Sequence, residues 1–230
     1  MKEFSGKKLL IFGDSIMYGS GNGGYGVGEY LANRFGFSLA KYCVGGARVG
    51  RQEGKSWIVE QVRSAIERGE KPHLIVFDGF TNDCNMTDGA TCDVPLGGEH
   101  NPTVCDVFGV SEVNTNFTDC FESIAASLIK YFKDSKVLFV RPHKMGRRGA
   151  EVQTVYGERA VSICKKYNIS VADIYNDGGL DTFDEALRDK YTNDSYGWGR
   201  GDCTHPNADG YEKFYMPVIE AAVLKLFKQL

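Results

Sequence analysis

Three residue types that together can transfer an acyl group stand at opposite ends of this chain. Ser15 closes the triplet Gly13-Asp14-Ser15, directly after the first apolar run, and Asp202-Cys203-Thr204-His205 lies shortly before the last amphipathic run. A serine hydroxyl is a weak nucleophile until a base takes its proton, and histidine is the usual base. An aspartate three residues before a histidine sits about one turn away and can reach the ring nitrogen that faces it. There it would fix the tautomer and support the imidazolium that forms, leaving the other ring nitrogen for Ser15. Taken singly, each residue has a plainer explanation. Ser15 could be a helix N-cap, His205 before Pro206 a turn residue, and Asp202 a turn former in a Gly-Asp loop. Taken together they read as nucleophile, general base and orienting acid.

Two further motifs lie between these ends. Gly45-Gly46 follows the apolar run Ser38–Val44, and Gly79-Phe80-Thr81-Asn82-Asp83 follows His73–Phe77. In this order the motifs resemble those of the SGNH hydrolases, also called the GDSL family of esterases and lipases. That family carries Gly-Asp-Ser, a glycine, Gly-x-Asn-Asp and Asp-x-x-His. The match spans residues 13 to 205. The resemblance implies a serine esterase with Ser15, His205 and Asp202 as its triad. It also implies an oxyanion hole made by the Ser15 N–H, the Gly46 N–H and the Asn82 side-chain amide, with no metal or cofactor. Two residues, Phe80 and Thr81, separate Gly79 from Asn82 where the family usually has one, so the path of this loop departs from the pattern. After Ser15 comes Ile16-Met17 rather than the second glycine of Gly-x-Ser-x-Gly, which disfavours the sharp elbow of the α/β-hydrolases.

The elements that must hold these residues show in the periodicity. Lys8–Phe12, Ser38–Val44, His73–Phe77, Lys136–Val140 and Ser170–Tyr175 are continuous apolar runs, as expected for strands buried on both faces. Between them, apolar residues recur at helical spacing. One stripe is Phe117, Phe121, Ile124, Leu128, Phe132; another is Val152, Val155, Ile163, Tyr167. The last is Tyr211, Phe214, Val218, Ala222, Leu226, Leu230, with Pro217 expected to kink or divide it. Alternating strand and helix predicts a parallel sheet covered on both sides, a flavodoxin-like three-layer α/β/α sandwich of five strands. Such sheets bind ligands at the carboxyl ends of their strands. Ser15, Gly46 and Asn82 each follow such an end. The chain is expected to be one domain over residues 1–230, with long loops near 84–113 and 176–201 overhanging that rim.

Composition narrows the remaining possibilities. A 42% hydrophobic and 25% charged content with net charge −3 fits a soluble globular protein and gives no electrostatic reason to expect nucleic acid. No run has membrane-spanning length or the form of a signal peptide, so a cytoplasmic protein is expected, with a trimmed secreted form as the alternative. Seven cysteines form no Cys-x-x-Cys pair, which is poor zinc spacing even with His100 among them. Reduced thiols are expected, with a Cys92–Cys105 disulfide as the alternative in an exported protein. Gly19-Ser20-Gly21-Asn22-Gly23-Gly24 satisfies Gly-x-Gly-x-x-Gly but starts too far past the strand for a dinucleotide site. It reads instead as a loop beside Ser15. Tyr191, Tyr196, Trp198 and Arg200 could stack on a sugar or wall an acyl pocket, or pack the loop on the body. Arg141 and His143 read as solvated rim residues.

The expected activity is hydrolysis of short-acyl esters, acetyl on a carbohydrate in particular, because no long apolar lid is visible. A lysophospholipase or thioesterase of the same family is the nearest alternative. A non-catalytic binding protein on the scaffold and a flavin- or nucleotide-binding protein are the more distant ones. The expected partner is a small ester substrate, with neither nucleic acid nor membrane, and the oligomeric state is not encoded in any motif.

Overall fold

The computed structural model describes residues 2–86, 89, 91–98, 106–110 and 116–228. The apolar runs form one parallel sheet. Its strands are β1 (Lys8–Phe12), β2 (Ser38–Lys41), β3 (Leu74–Phe77), β4 (Lys136–Arg141) and β5 (Ser170–Asp173), ordered β2-β1-β3-β4-β5. β1, β3 and β4 are buried almost throughout, because helices cover both faces. The edge strands β2 and β5 are only half-buried.

Among the described residues eight α-helical segments accompany the sheet: α1 (Ser15–Tyr18), α2 (Val27–Phe35), α3 (Ile58–Glu67), α4 (Phe117–Tyr131), α5 (Ala150–Lys166), α6 (Glu185–Tyr191), α7 (Ala208–Gly210) and α8 (Met216–Lys228). The chain steps from β1 outward to β2, then returns past β1 to β3, β4 and β5. Right-handed crossovers therefore put α2 on one face and α3, α4 and α5 on the other. α8 joins α2, packing against β4 and β5. This is the expected three-layer sandwich in the flavodoxin-like strand order. The order reverses between β1 and β3, so a crevice opens beyond their carboxyl ends. Ser15 follows β1 and Asn82 follows β3, on either side of that crevice.

Several boundaries differ from the sequence expectation. The second strand stops at Lys41, although Tyr42 N still donates to Ile11 O (2.8 Å) and Val44 N to Gly13 O (3.1 Å). The fifth ends at Asp173, whose side chain caps a π-helical turn over Ile174–Gly178 by accepting from Asn176 N. The stripe on α4 is buried as expected. On α5, Val155 is exposed and the inward face is Gln153, Tyr156, Ala160, Ile163 and Cys164. The last helical run is divided, as Pro217 requires, by a π segment over Tyr211–Tyr215. The extra residue in that turn shifts the buried stripe to Tyr215, Met216, Ile219 and Val223, leaving Val218, Ala222 and Leu226 half-buried. The short helix expected over Thr182–Lys190 begins later, at Glu185, where Asp184 caps it. The described cysteines 43, 84, 92, 120, 164 and 203 form no disulfide with one another. Cys105, His100 and Leu230 lie outside the described residues. No described helix is long and apolar enough to cross a membrane.

Gly13 ends β1 with φ +136°, and a Cβ there would lie 1.9 Å from Asp78 Oδ1 and 2.9 Å from Met17 Cγ. Gly54 also has positive φ (+70°) but open space around it. Gly13→Ala is therefore expected to lower unfolding free energy by at least about 2 kcal/mol in urea titration, and Gly54→Ala by about 1 kcal/mol or less.

Candidate active site

Ser15 and His205 are 190 positions apart in sequence, yet Ser15 Oγ lies 2.9 Å from His205 Nε2. His205 Nδ1 lies 2.7 Å from Asp202 Oδ2. A carboxylate can only accept, so Nδ1 carries the ring proton and Nε2 is left to accept from the serine hydroxyl. Local structure explains each placement. The Asp14 side chain N-caps α1, its Oδ1 accepting from Ile16 N (2.8 Å), and this sets Ser15 as the first helical residue. Asp202 is fully buried, and its Oδ1 accepts from the backbone N–H groups of Thr204 and His205, both at 2.8 Å. Burial acts to raise its carboxyl, but the His205 ring and backbone bonds outweigh it and hold it down at about 2.

The turn between them is fixed from behind. Cys203 has φ +66°, and its carbonyl accepts from Thr182 Oγ1 (2.9 Å) and from His143 Nε2 (3.2 Å). His143 Nδ1 then accepts from the Tyr215 hydroxyl at 2.7 Å. Burial pushes His143 down to about 4, so this ring is neutral at pH 7. His143 is thus a buried support for the Asp202–His205 segment rather than a solvated rim residue. Arg141 is buried too, stacked over Tyr175 and paired with Asp173 at 3.4 Å.

Gly45 and Gly46 occupy a tight turn closed by Ala47 N donating to Val44 O (3.1 Å). Gly46 has φ +76°, the conformation a type II turn needs at its third residue and glycine supplies best. The turn lies against the serine, since a Cβ on Gly45 would stand 4.0 Å from Ser15 Cβ. The N–H groups of Ser15 and Gly46 have no acceptor among the described residues. Asn82 Nδ2 donates to Ala47 O (2.9 Å) and, at 3.3 Å, to Asp14 Oδ2. Between Gly79 and Asn82, Phe80 is buried with φ +123°. Such a conformation costs an aromatic residue about 1–3 kcal/mol. Arg148 Nε holds the neighbouring Thr81 carbonyl at 3.0 Å. Asp83 accepts from Val49 N (3.1 Å) and Gly50 N (2.8 Å).

Some neighbours gave no signal in the sequence. Ser195 Oγ sits 3.4 Å from His205 Nδ1, and Gln61 and Asp78 grip the backbone just before Ser15. The glycine-rich loop forms a 3₁₀ turn over Ser20–Asn22 beside the site. Gly21 lies so close to the His205 carbonyl that a Cβ would meet it at 2.7 Å. Tyr191 is buried on Phe214, as loop packing, whereas Tyr196 and Trp198 are exposed and stacked on each other at 4.7 Å. Arg147 lies over both rings.

A serine whose proton has a base to go to, beside two N–H donors without an acceptor among the described residues, can attack a carbonyl and hold the resulting oxyanion. The model of the GDSL-like lipase/acylhydrolase family matches residues 11–213. The chain belongs to this family. Its members hydrolyse esters, and the chain is an ester hydrolase of the GDSL type. Solved structures agree in fold. A protein from Lactobacillus plantarum gives a TM-score of 0.71 at 18% identity, over 98% of this chain and 99% of that one. A phospholipase A1 from Streptomyces albidoflavus gives 0.57 at 16%, over 94% and 99%. An acetylxylan esterase from Geobacillus stearothermophilus gives 0.54 at 18%, over 98% and 96%. No curated protein sequence matches the chain.

The Asp202 carboxylate, held below its ordinary 3.8, contributes stability above that value and loses it as pH falls through about 2. Asp202→Asn in this GDSL hydrolase is expected to remove that acid-dependent stability from thermal melts recorded at falling pH. The same variant is expected to lower kcat about 10²- to 10⁴-fold, less than Ser15→Ala does.

Proposed function

We propose that this GDSL hydrolase is a serine esterase acting on short-acyl esters, acetyl groups on carbohydrate in particular. The observation that carries the mechanism is the unbroken relay Ser15 Oγ–His205 Nε2 (2.9 Å) and His205 Nδ1–Asp202 Oδ2 (2.7 Å). Ser15 Oγ attacks the ester carbonyl carbon while His205 Nε2 takes its proton. Negative charge gathers on the carbonyl oxygen, which receives the N–H groups of Ser15 and Gly46. Asn82 turns one amide hydrogen to it from the longer contact, that to Asp14. The intermediate collapses to an acyl-Ser15, and His205 returns its proton to the leaving alcohol. Water, deprotonated by the same ring, then releases the acid.

The preference for a short acyl group is supported by what surrounds Ser15. Gly45 and Ser20 beside Ser15, and Ser195 beside its partner His205, offer little apolar surface to hold a long chain. The carbohydrate is supported by the exposed Tyr196–Trp198 pair with Arg147, on a loop anchored to the histidine by Asn193 N donating to His205 O (2.8 Å). Flat exposed rings beside a guanidinium suit the apolar face and hydroxyl edge of a sugar. The acetylxylan esterase neighbour agrees with this choice, whereas the phospholipase neighbour favours a long-chain substrate.

Fluorophosphonate labelling is expected in wild type and lost in Ser15→Ala and His205→Ala, read by intact-mass analysis. Well-folded wild type that takes no label would put a non-catalytic binding protein first. Across p-nitrophenyl esters from acetate to palmitate, kcat/KM is expected to peak at acetate, and a maximum at about eight carbons or more would favour the lipase reading. Trp198→Ala is expected to raise KM about tenfold for an acetylated xylo-oligosaccharide and to leave p-nitrophenyl acetate nearly unchanged.

A further inference from the structure

Gln61 lies on α3, buried, with its side-chain amide spread across the end of β1. Its Oε1 accepts from Gly13 N (2.8 Å) and its Nε2 donates to Gly13 O (2.9 Å). The amide orientation is fixed by its partners, since an N–H needs the oxygen and a carbonyl needs the nitrogen. These two bonds serve a physical need. Gly13 leaves the strand conformation at φ +136°; its carbonyl still meets β2's continuation, and its buried N–H needs a partner from elsewhere.

The Gly13 carbonyl accepts a second time, from Val44 N at 3.1 Å, at the residue that opens the Gly45-Gly46 turn. One carbonyl therefore joins three segments: the strand end that carries Ser15, the turn that carries the Gly46 N–H, and α3. The loop after that turn runs straight into α3, with Arg48 N donating to Ser56 O (2.9 Å) and Ile58 N to Arg48 O (2.8 Å). On the β3 side, Asp78 Oδ1 accepts from Asp14 N (3.1 Å), so both residues preceding Ser15 are held by side chains from outside the strand.

We infer that Gln61 is a positioning residue for the hydrolysis, setting Ser15 and the Gly46 N–H in one register through the Gly13 backbone. The inference rests on the assignment of Ser15 as nucleophile. Gln61 itself touches no reacting atom, so its loss alters how well the attacking oxygen and the oxyanion donors are aligned rather than how substrate is bound. Alignment of this kind enters kcat, whereas uniform binding enters KM.

Two variants test it, each assayed well below its own melting temperature. Gln61→Leu keeps the volume and removes both bonds. It is expected to lower kcat for p-nitrophenyl acetate and the second-order rate of fluorophosphonate labelling together, by about tenfold, with KM within about threefold. Gln61→Glu carries the sharper signature. A protonated carboxyl has one O–H and one C=O, and so reproduces both bonds to Gly13, whereas the carboxylate faces the Gly13 carbonyl with an unwanted charge. Burial beside Asp14 and Asp78, with Tyr42, Arg51, Lys55 and Glu60 around the adjoining cavity, sets where that proton is held. The ratio of Gln61→Glu to wild-type kcat is expected to rise as pH is lowered from about 8 to about 5.5. A folded Gln61→Leu that labels at the wild-type rate overturns the inference, as does a Gln61→Glu ratio that stays flat with pH. Should Gln61→Leu fail to fold, the pH series of Gln61→Glu decides. Wild type that takes no label at Ser15 overturns the esterase mechanism itself, and this inference with it.

Discussion

Backbone polar groups buried where a parallel strand ends must find partners, and this molecule is organised by how it supplies them at Gly13. The strand stops there because Gly13 turns to a φ that a residue with a Cβ adopts only under strain. Asp78 occupies the space a Cβ would take. From that point the chain can only turn sharply, and Asp14 converts the turn into the start of α1. Ser15 therefore emerges at the crevice where the strand order reverses, with its hydroxyl toward His205 and no acceptor for its N–H among the described residues. The neighbouring turn at Gly45-Gly46 and the helix bearing Gln61 are tied to the same few atoms.

Four buried aspartates around this point show how surroundings move one side-chain type in opposite directions. Burial raises Asp14, and burial together with the charge of Asp14 pushes Asp78 well up. Burial likewise lifts Asp83 to about 7, against the two backbone N–H groups it accepts from. Asp202 is equally inaccessible, yet the imidazole and the His205 N–H hold it down at about 2. Of the four, Asp202 has a hydrogen-bonding ring beside it and is the one held below the ordinary carboxylate value, and that ring is the one in contact with Ser15.

Much of this was legible in the residues. Apolar runs marked all five strands because strands covered on both faces have little room for polar residues, and the edge strands, half-exposed, were the least faithful. Ser15, Asp202 and His205 could be singled out because their spacing carries a chemical requirement. Other features left no trace. Val155 and Val218 fit a helical stripe, yet one faces solvent and the other is half-buried. A few degrees of rotation, or a single π turn before Pro217, changes the phase. A glutamine at position 61 looks like any helix residue until the Gly13 backbone is opposite it. The spacing before Asn82 could show that the loop departs from pattern, but not that a phenylalanine there would take a positive φ.

The two ends of the chain meet at one hydrogen bond, between residues 190 positions apart. Around it the late segment reaches back repeatedly: the Tyr211 hydroxyl donates to Ile16 O, and the His205 and Pro206 backbone lies against Gly21. Synthesis runs from the amino terminus, and contacts this distant in sequence form late. A ribosome that has built the whole sheet has still not delivered the base. The five strands and Ser15 are thus encoded upstream of residue 174, and the imidazole that faces Ser15 enters only with the segment around His205.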